Sequence, residues 1–213
     1  MITQSILKLI ALFTMALDHV GLFLFTEVEI LRIIGRLAFP IFAYLIAEGC
    51  IHTRNKWKYL LRIIICATAY QIVIFFVGPT FTLSVLWSYA AAVGFAILRD
   101  WTQRNPGCAP ALLLYAAAVS LTLLALKTDY LCFSFLLILA FMLIQKPWLK
   151  WIAAAVALAC VSLFYQYQCW GLCALPILML YNGQRGRLRI GKFMYWFYPL
   201  HYLVLGILAY IFG

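Results

Sequence analysis

The chain has 213 residues, 67% of them hydrophobic and only 10% charged, with a mean hydropathy of +1.02. A soluble domain is about half apolar and a quarter charged, so a core of this size cannot bury so much apolar surface; an ordinary soluble enzyme is excluded. The net charge of +10, from 16 Lys and Arg against 6 Asp and Glu, then points to basic loops facing anionic lipid and not to a nucleic-acid partner.

Hydropathy predicts one domain, 1–213, folded as an all-α polytopic transmembrane bundle of about nine helices. The first apolar run, Ile6 to Phe25 within a span predicted at 6–26, is too long for a signal-peptide core and has no small-x-small cleavage pattern. It also carries Asp18 and His19, so it is expected to be a span and not a leader. The next spans are predicted at 31–51, 60–78, 81–98, 108–126, 130–145 and 149–165, then 169–182 and 192–212. Turn chemistry separates several of them: Gly78-Pro79, Asn105-Pro106-Gly107, Lys146-Pro147 and Asn182-Gly183. The eighth span is short and holds Pro176. The seven cysteines form no zinc-like CxxC pair and are expected to be small apolar packing residues, with no metal site. Cys169 and Cys173 are four apart near a predicted loop, and a disulfide between them is an open reading.

Charge asymmetry predicts the orientation. With the N-terminus in the cytoplasm, Lys8, Arg54, Lys56, Lys58, Arg62, Arg99 and Arg104 fall inside, as do Lys146, Lys150, Arg185, Arg187, Arg189 and Lys192. Only Arg32, Arg36 and Lys127 fall outside, and these three need a reason.

Ionisable groups at membrane depth cost several kcal/mol unless paired or hydrated, which marks them for function. Asp18 and His19 lie in the outer half of the first span. Adjacent helical residues point ~100° apart, so the two cannot act as one side-by-side pair. Arg36 is the expected partner of Asp18, leaving His19 free to face a cavity. Arg32 lies one turn before Arg36 on the same face, and Glu48 one turn before His52. Asp129 opens the sixth span, and His201 sits in the ninth with Tyr198 three residues before it. Each of these also has a plain structural reading: Asp18–Arg36 as a fold-specifying ion pair, Glu48 and His52 as interfacial caps, and His201 as a packing residue bonded to Tyr198.

Four ordered motifs carry a resemblance. They are Met15, Asp18, His19 and Gly21; then Gly35, Arg36, Ala38, Phe39, Pro40 and Phe42; then Glu48, Gly49, Thr53 and Arg54; and finally the run Phe197 to His201. With Thr128-Asp129-Tyr130, these make the chain resemble the TraX family along almost its whole length. The resemblance implies a transmembrane acyltransferase in a bacterial inner membrane, moving an acetyl group from cytosolic acetyl-CoA to the exposed α-amino group of a pilin or similar acceptor.

On that reading His19 is the expected general base or transient acetyl carrier, with Asp18 and Arg36 setting local charge. Arg36 or Arg32 is expected to stabilise the thioester oxyanion, and His201 with Tyr198 to polarise the thioester or relay the proton. Glu48, His52, Arg54, Lys58 and Arg62, with Lys56, Arg185, Arg187 and Arg189, are the inner-face candidates for acetyl-CoA. Arg32, Asp129 and Tyr130 are the candidates for the acceptor side. Two other classes fit the same residues: a small proton-coupled transporter or flippase, and a pilus or secretion assembly protein without chemistry.

Overall fold

The computed structural model describes residues 1–78, 82–125, 128–188 and 190–212. Pro79, Lys127, Arg189 and the Lys192 side chain lie outside this description. In chain order the helices are α1 (Gln4–Phe23), α2 (Glu29–Gly35), α3 (Ala38–His52), α4 (Lys56–Val77) and α5 (Val85–Arg104). They continue as α6 (Cys108–Ala125), α7 (Phe133–Leu143), α8 (Pro147–Ser162), a 3-10 segment (Gln168–Cys173), α9 (Ala174–Met179) and α10 (Gly191–Phe212).

The predicted second span is broken in two. Pro40 has no backbone N–H, so the Arg36 carbonyl loses its partner four residues on, and the helix interrupts at Arg36-Leu37. The predicted eighth span is likewise two pieces, the 3-10 segment followed by α9. Both Cys169 and Cys173 are free thiols, so the open disulfide reading closes against a bond. At 11 residues α7 is about 16 Å long, too short alone for a ~30 Å hydrocarbon core. Among the described residues, four stretches are long and apolar enough to cross a membrane: Gln4–Phe23, Glu29–His52, Lys56–Val77 and Phe193–Phe212.

α3 is the central element. It packs against α1, α5, α7 and α9, and its Ile41, Ala43 and Ala47 are fully buried. Around it, α10 bridges α1 and α4, α5 follows α4, and α7 and α8 continue the ring to the 3-10 segment. The ring closes where the chain's first residues pair with 180–185: Ile2 N–H donates to the Leu180 carbonyl and Asn182 N–H to that of Ile2. The outward faces are apolar. On α10, Phe193, Trp196, Leu200, Val204, Ile207 and Ile211 recur at three- and four-residue spacing and are all exposed. That is the pattern of a helix whose far side meets lipid.

Candidate functional site

The helix ends opposite the Arg54 turn bring the polar groups of the first two motifs together. Gly35 makes this approach feasible. A Cβ at Gly35 would fall on the Asp18 side chain, so only glycine lets α2 lie against α1 at this level. The Asp18 carboxylate then sits between two guanidiniums. Arg36 donates to it from Nη2, and Arg32 lies 3.1 Å away through Nη1, which also donates to the Asp18 carbonyl at 3.0 Å. Arg36 is almost wholly buried and uses two further donors on the Arg32 carbonyl (3.2 Å) and the Tyr130 hydroxyl (3.3 Å). Two cations against one anion leave the cluster with a surplus positive charge.

Tyr130 is held there at a conformational cost. It and Leu131 have φ of 63° and 54°, the left-handed region that non-glycine residues avoid. The strap that carries them is tied to the start of α5: Asp129 N–H donates to the Leu83 carbonyl, and the Thr128 and Ser88 hydroxyls are 2.6 Å apart. The Tyr130 ring stacks on Phe39 with centroids 4.2 Å apart. Asp129, a candidate for the acceptor side, accepts from Val85 N–H at the first turn of α5. Burial pushes its carboxyl up to about 6 against that bond.

The second half of the site comes from α10. Pro199 removes the donor that would serve the Tyr195 carbonyl, and the Cys66 thiol takes that place at 3.4 Å. One turn on, His201 Nδ1 lies 2.7 Å from the Phe197 carbonyl, and its Nε2 lies 2.6 Å from His19 Nδ1. A carbonyl only accepts, so His201 Nδ1 carries the proton. In the neutral pair, His201 Nε2 must therefore accept from His19 Nδ1–H, which leaves the lone pair of His19 on Nε2. Phe197 stacks on His201, and Tyr202 meets His19 edge-on. His19 was expected to be free to face a cavity; it faces one but is tied to His201. That cavity is small, about 50 Å³, and its walls include Asp18, His19, Phe42, Tyr89, Tyr130 and Tyr198.

The structure thus unites Asp18, His19, Arg32, Arg36, Tyr130, Tyr198 and His201. The inner-face candidates are scattered. Glu48 pairs with His52 at 3.4 Å and accepts from the Tyr181 hydroxyl at 3.3 Å. Lys58 follows the Asn55 cap, and Arg62 is exposed on α4. Arg54 alone of these five lines a second, wider cavity, about 740 Å³, which opens between the 51–57 turn, α4 and α5. Trp57, Trp101 and Arg104 also line it. Sequence reasoning missed their shared location, because Trp at span ends reads as an interfacial belt.

The fold and site define a helical protein with segments long and apolar enough to cross a membrane and a buried charged and imidazole cluster. The family model described as TraX protein matches residues 3–209, and the chain belongs to the TraX family. It is 49% identical over 41 residues to an uncharacterised protein of Rickettsia prowazekii (strain Madrid E), a stretch covering 19% of this chain and 16% of that protein. It is 40% identical over 62 residues to the probable fimbrial assembly protein FimC, serogroup H1, of Dichelobacter nodosus, covering 27% of this chain and 25% of that protein. The chain therefore aligns with a quarter or less of the length of these relatives. No solved structure matches it.

Proposed function

We propose that the protein is an acetyl-CoA-dependent transmembrane N-acetyltransferase of the bacterial inner membrane, with a cytoplasmic N-terminus. Its acceptor is an amine presented from the outer side, and the N-terminus of a pilin or pilin-like protein is the reading that a fimbrial-assembly relative favours. The observation that carries this is the imidazole chain from the Phe197 carbonyl through His201 to His19, beside a cluster with surplus positive charge.

The chemistry needs one base and one oxyanion stabiliser. The acceptor amine attacks the thioester carbonyl, forming the N–C bond. His19 Nε2 takes the proton from the nitrogen, and the Nδ1 proton moves along its short bond to His201 Nε2. The oxyanion lies against the guanidinium charge of Arg36 or Arg32. Collapse breaks the C–S bond, and the CoA thiolate leaves and takes a proton back from the imidazole pair. Tyr130 and Asp18 position Arg36.

The test is radiolabelled acetyl-CoA supplied to inverted and right-side-out membranes, with the labelled species identified. Wild type should label an acceptor when the donor is on the cytoplasmic side. His19→Ala, inserted and monodisperse, should lose about 10²–10⁴-fold of that activity, the usual contribution of a positioned base. Near-normal turnover in His19→Ala overturns the assignment. No labelling by wild type, in membranes that contain pilin, would favour an assembly role without chemistry.

A further inference from the structure

The cavity of about 740 Å³ between the 51–57 turn, α4 and α5 falls in the size range of small-molecule sites. Its lining is not that of a lipid-filled crevice. Arg54 comes from the turn after α3, Lys56 and Trp57 from the first turn of α4, and Asp100, Trp101 and Arg104 from the last turns of α5. Lys56 is paired with Asp100, so that carboxylate is neutralised within the site, and Arg54 and Arg104 remain as surplus cations. Two indoles from different helices line the same hollow. Belt residues need only reach the interface; they need not converge on one cavity with two guanidiniums. An anionic ligand with a flat aromatic ring satisfies both features, through bidentate guanidinium–phosphate bonds and stacking on indole.

The shape adds a third constraint. Gly94 lies at the α5 wall of the groove, and a Cβ there would meet nothing within 4 Å. Five residues earlier on the same helix, Tyr89 lines the small cavity beside His19. At 1.5 Å per residue, Arg104 to Gly94 is about 15 Å and Gly94 to Tyr89 about 7 Å. α3 makes the same connection, with Phe42 at the small cavity and Ile51 at the groove. Both cavities are thus walled by α3 and α5, the wide basic one toward the Arg54 turn and the narrow one beside His19.

We propose that this groove seats the nucleotide head of the acyl donor. Its adenine lies against Trp57 and Trp101, its phosphates against Arg54 and Arg104, and its thioester arm passes Gly94 toward His19. The proposal rests on the acetyl-CoA reading above. It assigns the head to Arg54 with Trp57, Trp101 and Arg104, and not to Glu48, His52, Lys58 or Arg62.

The test is CoA binding to the purified full-length chain in detergent, by calorimetric titration, alongside adenosine 3′,5′-bisphosphate. Arg54→Ala and Arg104→Ala, both at exposed positions, should each weaken both ligands at least tenfold. Gly94→Leu fills the arm's path only. It should weaken CoA at least tenfold while leaving the bisphosphate within about threefold of wild type. If wild type binds CoA but all three variants bind it within twofold of wild type, the groove assignment is overturned and the acetyltransferase reading stands. If wild type binds no CoA, the acetyltransferase reading falls and takes the groove with it.

Discussion

Asp129 shows how a charged residue at a predicted span end comes to be tied to the start of an α-helix. Its carboxylate accepts from Val85 N–H, and burial raises its ionisation to about 6 from 3.8. Between those values the folded state holds a proton that the unfolded chain has released. Stability therefore falls as pH rises from about 4 to about 6 and is level above that. Asp129→Asn removes this titration while keeping an acceptor for Val85. Its melting temperature in detergent should lack the wild-type decline across that window and equal or exceed wild type at pH 7. A variant that keeps the wild-type slope refutes the assignment. The Asp18–Arg36 pair was legible in the sequence, because opposite charges in the outer halves of antiparallel neighbours must find each other or pay for burial. The His19–His201 bond was not legible as a pair. The two lie 182 residues apart, and neutral imidazoles give no charge complementarity to match across that distance. The orientation of the pair depends on the Phe197 carbonyl, a backbone group that leaves no mark in a motif.

At the scale of elements, the family motifs mark places where helices are interrupted or brought unusually close. Pro40 and Pro199 each free a carbonyl, and each lies within a turn of a site residue, Arg36 or His201. Hydropathy placed most of the helices but read 31–51 and 169–182 as continuous, since apolar composition does not register one missing N–H or a 3-10 turn. Two glycines separate packing from openness. Gly35 faces the Asp18 side chain with no room for a methyl group, whereas Gly94 faces open space. Gly35→Ala must push α2 away from α1 and should lower stability by about 1–3 kcal/mol, the usual cost of overpacking. It should also reduce transfer by parting Arg36 from Asp18. Gly94→Ala replaces a poor helix former with a good one and should raise stability by up to about 1 kcal/mol. The same thermal melt in detergent measures both, and equal melting temperatures for the two variants would refute the packing contrast.

For the whole molecule, the charge distribution predicts which end meets the cytoplasm, and the structure accounts for two of the three positives that broke the pattern. Of the three outer cations in need of a reason, Arg32 and Arg36 are held by Asp18, and Lys127 lies outside the described residues. That leaves Lys127 alone against the basic turns after α3, α5 and α9, and the charge rule predicts the cytoplasmic side for those turns. The opposed ends are well separated: Asn55 lies in the turn between α3 and α4, while Gln166 lies just past α8, near Tyr167, whose hydroxyl donates to Glu29 at the start of α2. Both Asn55 and Gln166 are exposed. In a background with the exposed Cys108, Cys169 and Cys173 changed to serine, Gln166→Cys should react with a membrane-impermeant maleimide in intact spheroplasts. Asn55→Cys should react only in inverted vesicles or after permeabilisation. The reverse pattern would turn the molecule over and put the Arg54 groove on the side without acetyl-CoA. Labelling of both from one side would contradict a chain that crosses between them. The predicted pattern would instead put the basic groove on the cytoplasmic side and the Asp18 end on the opposite side, the arrangement that the proposed function requires.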